Sequence, residues 1–350
     1  MKIKQASAGM LVTLAILSAT GCGNSSANQT GNVSLGMKAL EESSFEAARE
    51  YFYKAIEENQ EMELAYRGLG MAFMNEGDYE AARDNFILAL QNGKNTVGPL
   101  EVDISMYLAS SYCKLNEYEK AVETYSNVLE LKKKNDELYY LRGVAYMELK
   151  EEKKAIADFD KSISLAPKNT TRYINIFTAL KQGGKEEKGK EYLNQALSFL
   201  NDNQGLEKGK LYYYLGEYDS AIAELENLSE GGDNDATLYM GKSYEALGDM
   251  NYAASLYEKY LAVDESNGEV YNQLGLCKLN MEDYQGALEC FKKGIKMGDS
   301  KMLKELYFNE AVAYEYKGDF ATAKTKFSEY LAKYPNDEKA RREAEFLKSR

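Results

Sequence analysis

Side chains with obvious chemical capacity are scarce in this chain. None of its 350 residues is histidine, which removes the commonest general base, the commonest zinc ligand and the centre of any Ser/His/Asp triad. Four cysteines remain, Cys22, Cys113, Cys277 and Cys290, with no Cys-x-x-Cys spacing to hold a metal. The densest carboxylate group, "EGGDND" at Glu230 to Asp235, lacks the spacing of a calcium loop and reads as a turn between helices. Glu-Glu pairs at 41, 57, 151 and 186 read as solvated helix faces. No constellation meets the first geometric requirement of a catalytic site. The expectation is therefore a non-enzyme with neither cofactor nor metal.

Only Cys22 sits in a chemically telling context. Lys2 and Lys4 precede a run from Met10 to Leu17 that is apolar except for Thr13, followed by small residues ending at Cys22. That layout of charged, apolar and small-residue regions is a secretory signal too short to span a bilayer. The stretch Ala19-Thr20-Gly21-Cys22 resembles the lipobox of bacterial lipoproteins, which usually carries a larger aliphatic residue where Ala19 stands. The resemblance implies cleavage of residues 1–21, acylation of Cys22, and a lipid-anchored protein (palmitate and diacylglycerol) on the extracytoplasmic face of a bacterial cell membrane. Residues 22–34, "CGNSSANQTGNVS", would be the lipidated cysteine and a flexible tether. Cys113, Cys277 and Cys290 read as small apolar residues of helices.

Charge narrows the partners. The formal net charge is −13, so phosphate neutralisation by clustered Lys and Arg is not available and nucleic acid is not expected as a ligand. Three prolines, no tryptophan and 29 tyrosines leave helices uninterrupted and make tyrosine the main aromatic surface.

The elements behind these residues are written repeatedly. Aligned on "GDFATAKTKF", a small residue recurs at Ala48, Ala82, Ala121, Ala155, Gly189, Ala221, Ala253, Ala287 and Ala323. Four residues later come Phe52, Phe86, Tyr125, Phe159, Leu193, Leu225, Tyr257, Phe291 and Phe327, on the same helical face. Twelve residues before the small position stand Gly36, Gly70, Ala109, Gly143, Gly209, Gly241, Gly275 and Ala311, but Phe177 in the fifth copy. A period near 34 signals a helix-turn-helix repeat.

With Gly143, Tyr146, Ala155, Phe159 and Pro167 in one copy, and Ala311, Tyr314, Ala323, Phe327 and Pro335 in another, the chain resembles the tetratricopeptide repeat family. The resemblance implies an all-α, right-handed α-solenoid of about nine helix-turn-helix repeats plus a C-terminal capping helix. The expected layout is an N-terminal arm at 29–169, a degenerate repeat and possible hinge at 170–201, a C-terminal arm at 202–337, and the cap at 338–350. Repeat five, with Phe177, Gly189 and Leu193 at pattern positions, reads either as ordinary degeneracy of the repeat or as a place where packing loosens and the two arms bend.

In this family the first helix of each pair lines a concave groove. Carried over, that places Arg67, Met71, Met74, Met106, Tyr140, Val144, Met147, Leu206 and Tyr213 as groove candidates, with Ser110 and Leu238 in the same register. Lys181, Lys210 and Lys242 would face an acidic partner or solvent. The resemblance implies a non-catalytic membrane-anchored scaffold that binds a protein or peptide segment in its groove at the cell envelope. The alternative is a structural subunit of an envelope assembly or secretion complex, using convex surface and ends.

Overall fold

A left-handed residue punctuates every repeat. The computed structural model describes residues 31–93, 98–298 and 302–349, so Cys22, the signal and most of the tether lie outside the described residues. The first helices of the repeats are α1 (Asn32–Glu41), α3 (Met62–Glu76), α5 (Pro99–Lys114), α7 (Asp136–Glu148), α9 (Thr170–Gln182), α11 (Gly205–Leu215), α13 (Asn234–Leu247), α15 (Gly268–Asn280) and α17 (Leu303–Tyr316). Their second helices are α2 (Phe45–Glu57), α4 (Tyr79–Asn92), α6 (Tyr118–Leu131), α8 (Glu152–Leu165), α10 (Glu186–Leu197), α12 (Tyr218–Glu230), α14 (Met250–Leu261), α16 (Tyr284–Met297) and α18 (Phe320–Lys333), and α19 (Glu338–Leu347) follows. The fold is an all-α tetratricopeptide-type solenoid.

Between the helices of each pair one residue takes positive φ: Ser43, Gly77, Asn116, Lys150, Gly184, Gly216, Gly248, Glu282 and Gly318. Its left-handed backbone lets the amide of the next residue return to a carbonyl five positions back, as in Asp78 N to Phe73 O at 2.9 Å and Asp319 N to Tyr314 O at 3.0 Å. That next residue then begins the second helix. Where it is aspartate, as at Asp78, Asp249, Asp283 and Asp319, its carboxylate accepts a free amide of the first turn. The "GD" dipeptide therefore ends one helix and starts another.

Packing inside a pair is set by one close approach. A Cβ placed on Gly36, Gly70, Gly143 or Gly275 would stand 2.4–2.6 Å from the ring sixteen residues on, Phe52, Phe86, Phe159 or Phe291. Each of these rings is fully buried, and each lies where hydrogen replaces a methyl. In two repeats tyrosine replaces phenylalanine, and its buried hydroxyl needs a partner. Tyr257 donates to Glu245 Oε2 at 2.9 Å, and Tyr125 pairs with Cys113.

By chain contacts the solenoid divides into two compact units, residues 1–192 and 193–350, with the division inside α10. In the first unit Phe177 is 2% exposed. A Cβ on Gly189 would meet its ring at 2.9 Å and its Cα at 3.2 Å. The large and small residues of this repeat have thus exchanged places, and Gly189 stands where other repeats use alanine because Phe177 fills the space. On the first unit's side of the division, repeat five is closely packed at Phe177.

Candidate functional site

The first helices carry a repeated arrangement in which a cation of one repeat meets an acid of a neighbouring repeat. Arg67 Nε on α3 donates to Asp103 Oδ2 on α5 at 2.6 Å. On α9, Arg172 donates to Asp136 Oδ2 at 3.3 Å and also to Glu137, both on α7. In the second unit Lys210 on α11 reaches Asp235 on α13 at 2.6 Å, and Lys242 on α13 reaches Glu269 on α15 at 2.5 Å. At the next junction the link is uncharged, with Asn309 Nδ2 donating to Asn272 Oδ1 at 2.8 Å. Polar links thus join α3 to α5 and α7 to α9 in the first unit, and α11 to α13, α13 to α15 and α15 to α17 in the second.

Aromatic rings lie against these cations. The Arg172 guanidinium sits 4.4 Å from the Tyr140 centroid and that of Arg67 sits 5.7 Å from Tyr107. In the second unit Lys210 and Lys242 both approach Tyr239, at 5.2 and 5.0 Å. Tyr239 makes an edge contact with Tyr213 at 5.5 Å. Burial pushes the Tyr213 and Tyr239 hydroxyls well above the ordinary phenol range.

The predicted groove residues divide in two. Met71 and Met74 are half-buried around Phe86, and Leu206 and Tyr213 are half-buried on the core beside Ala221 and Leu225. Arg67, Met106 and Met147 also keep partial exposure. Tyr140 and Val144 do not present a free surface: Tyr140 is 9% exposed beneath Arg172 and beside Phe159, and Val144 is 3% exposed. Ser110 and Leu238 are buried as well. Position along a helix assigned them to the groove, but all four are buried, Tyr140 beneath Arg172 of the next repeat. Lys210 and Lys242 are neither solvated nor free, because each is held by an acid of the next repeat, and Lys181 pairs with Glu186 at 3.0 Å.

Tyr107 in the first unit, and Tyr239 and Glu269 in the second, lie against these cations and were not singled out from the sequence, while Asp235 was read there only as part of a turn. Arg67 and Asp103 are separated by 36 residues and Arg172 and Glu137 by 35, close to one repeat length. Opposite charges at one-repeat spacing were the available signal in the first unit, but Lys210 and Asp235 are 25 residues apart and Lys242 and Glu269 are 27 apart, so that spacing would not have found the pairs of the second.

The three thiols among the described residues offer little reactivity. Burial raises Cys113 to about 12 and Cys290 to about 11, and pushes Cys277 up further. Among the described residues no group of three His, Cys, Asp or Glu side chains is placed to hold a metal ion, and no helix is long and apolar enough to cross a membrane. The chemistry available on the first-helix face is contact: thioether, phenol ring and paired charge.

Comparison with known proteins agrees with this geometry. Tetratricopeptide repeat models match residues 33–95, 137–169, 206–270, 268–297 and 305–337, and a further TPR repeat model matches 109–150. The chain belongs to the tetratricopeptide repeat family. This tetratricopeptide protein is 24% identical over 230 residues to the BBSome complex member BBS4 of Bos taurus, covering 64% of this chain and 44% of that protein. The chain spans less than half the length of the curated relatives it matches. Among solved structures, yeast Tom70 is similar over 85% of this chain and 66% of its own, with 17% identity and a TM-score of 0.57. A tetratricopeptide repeat protein from Parabacteroides merdae covers 70% of this chain and 97% of its own at 21% identity, with a TM-score of 0.45. Repeats of this kind serve as protein-interaction scaffolds.

Proposed function

We propose that this protein is a non-catalytic scaffold, lipid-anchored through Cys22 on the extracytoplasmic face of a bacterial membrane, that holds a segment of a partner protein against its first helices. The observation that supports binding on this face is its composition after its charges have been paired. Arg67, Lys210 and Lys242 are occupied by acids of neighbouring repeats, which leaves half-buried Met71, Met74, Met106 and Tyr213 as the groups able to repack around an apolar segment. Tyrosine adds area at low entropy cost and a hydroxyl to orient the ligand. The anchor rests on the resemblance of Ala19 to Cys22 to a lipobox.

Two experiments test this reading. Membrane fractionation of a Cys22→Ser protein should move it to the soluble fraction or leave its signal uncut, and unchanged membrane retention would refute the anchor. Crosslinking on intact membranes should capture a partner with the wild type and lose it with Met106→Ala/Tyr213→Ala. If both proteins capture the same partner, the first-helix face is not the binding surface, and assembly through the ends and second helices is the better account.

A further inference from the structure

On a chain of net charge −13, one edge of the first unit is locally basic and unpaired. The end of α6 and the turn to α7 read Leu131-Lys132-Lys133-Lys134, and all four side chains are exposed, Leu131 by 58%. Lys161 on α8 and Lys168 in the turn before α9 are exposed too. Two contacts draw these segments to one edge. Ser162 Oγ, beside Lys161, donates to the Asp136 carbonyl at 2.8 Å, and Arg172, four residues after Lys168, donates to the Asp136 carboxylate at 3.3 Å.

Acids of this edge are largely engaged elsewhere. Asp136 and Glu137 are held by Arg172, and Asp160 accepts the Tyr192 hydroxyl at 2.8 Å. Glu130, next to the turn, is exposed without such a partner among the described residues. None of the five lysine ammonium groups forms an ion pair among the described residues.

We propose that this edge docks onto an anionic phospholipid surface. Lysine supplies compact point charges rather than the planar forks that read one particular carboxylate or phosphate, and charges arrayed on exposed turns suit a diffuse layer of headgroups. Leu131, projecting among them, can enter the boundary between headgroups and acyl chains, where an apolar side chain gains from leaving water. The acidic remainder of the protein is repelled by the same surface, so the contact selects one orientation. This contact requires no acyl chain, and it stands or falls independently of Cys22.

The test is co-sedimentation of the full-length Cys22→Ser protein with phosphatidylcholine vesicles and with vesicles containing phosphatidylglycerol, at low salt and at about 0.5 M salt. The expected result is partition that depends on phosphatidylglycerol and is lost at high salt. Lys132→Gln/Lys133→Gln/Lys134→Gln should weaken it about a hundredfold, while Lys292→Gln/Lys293→Gln/Lys296→Gln on α16 makes the same charge change and should leave it nearly intact. Absence of phosphatidylglycerol dependence in the parent, or equal loss in the two triple variants, overturns the proposal. Leu131→Asn should also weaken vesicle binding severalfold. If Leu131→Asn has no effect and inorganic polyphosphate binds as tightly as vesicles, the edge recognises soluble polyanions and the lipid assignment fails. Circular dichroism of every variant checks that these exposed changes preserve the fold.

Discussion

A Cβ on Gly275 would stand 2.4 Å from Cε1 of Phe291, a ring with no exposed surface. The glycine is an intrinsic cost to α15, yet no other residue leaves room for that ring. Gly275→Ala should therefore destabilise the second unit by about 1–3 kcal/mol through overpacking, despite alanine's better helix propensity. Phe291→Ala should cost about 3–5 kcal/mol by leaving a cavity. Urea denaturation followed by circular dichroism measures both, and a stabilising Gly275→Ala would refute the close-approach account.

Lys150 and Glu282 hold φ of 60° and 64° at turn positions where five repeats use glycine. A side chain in that region costs about 1–2 kcal/mol, and glycine's extra freedom in the unfolded chain recovers part of it. Lys150→Gly and Glu282→Gly should each raise stability by about 0.5–1 kcal/mol. A lower melting temperature in both would show that the side chains contribute contacts outweighing the strain.

Arg142 forms a two-pronged pair with Asp158, at 2.7 and 2.8 Å, and also donates to Ser126 at 3.0 Å. The Asp158 side chain is only 8% exposed. Arg142→Met would leave that carboxylate buried and unpaired, with an expected loss of about 3 kcal/mol. Adding Asp158→Leu should recover much of it. A double variant as unstable as the single one would indicate that packing, not the stranded charge, carries the loss.

Asp337 connects α19 to the repeat before it. Its carboxylate accepts from the amides of Lys339 and Ala340 and from the Tyr330 hydroxyl, and it pairs with Lys304 at 3.2 Å. Burial pushes this carboxyl up, but the Ala340 amide, Tyr330 and Lys304 together hold it below the ordinary range. Asp337→Ala should accelerate amide exchange across α19 by about tenfold, equivalent to roughly 1–2 kcal/mol for a lost cap. Unchanged exchange would assign the docking of α19 to Ala340 and Leu347 alone.

Alkaline pH should weaken the fold. Burial raises Cys113 from 9.0 to about 12 and Cys290 to about 11, so the folded state retains protons that the unfolded chain releases. The sign follows directly: this stability is complete below pH 9 and is lost as pH rises through about 9–12. Buried Tyr125 and Tyr257 act in the same sense above the ordinary phenol range. Melting temperature should fall above pH 9, less steeply in Cys113→Ala/Cys290→Ala. Equal slopes would exclude a contribution from the thiols.

The sequence by itself determined the helix-turn-helix unit, its number of copies and its core, because period, turn chemistry and the small-to-large alternation are local. Gly275 and Phe291 are sixteen residues apart, and any chain folding into that hairpin must bring them together. The face between repeats was less legible. Tyr140 shares its register position with half-buried Met106 and Leu206, and Val144 shares its own with half-buried Met71, and no spacing within one helix distinguishes them. Tertiary structure decided the difference by laying Arg172 over Tyr140 and by pairing Lys210 and Lys242 with acids of the following repeats. Repeat five shows the same division: its sequence breaks the pattern at Phe177, while the fold preserves packing there by placing a glycine beneath the ring. Burial and charge state depend on what the neighbouring repeat contributes, and that contribution is fixed only when the repeats stack.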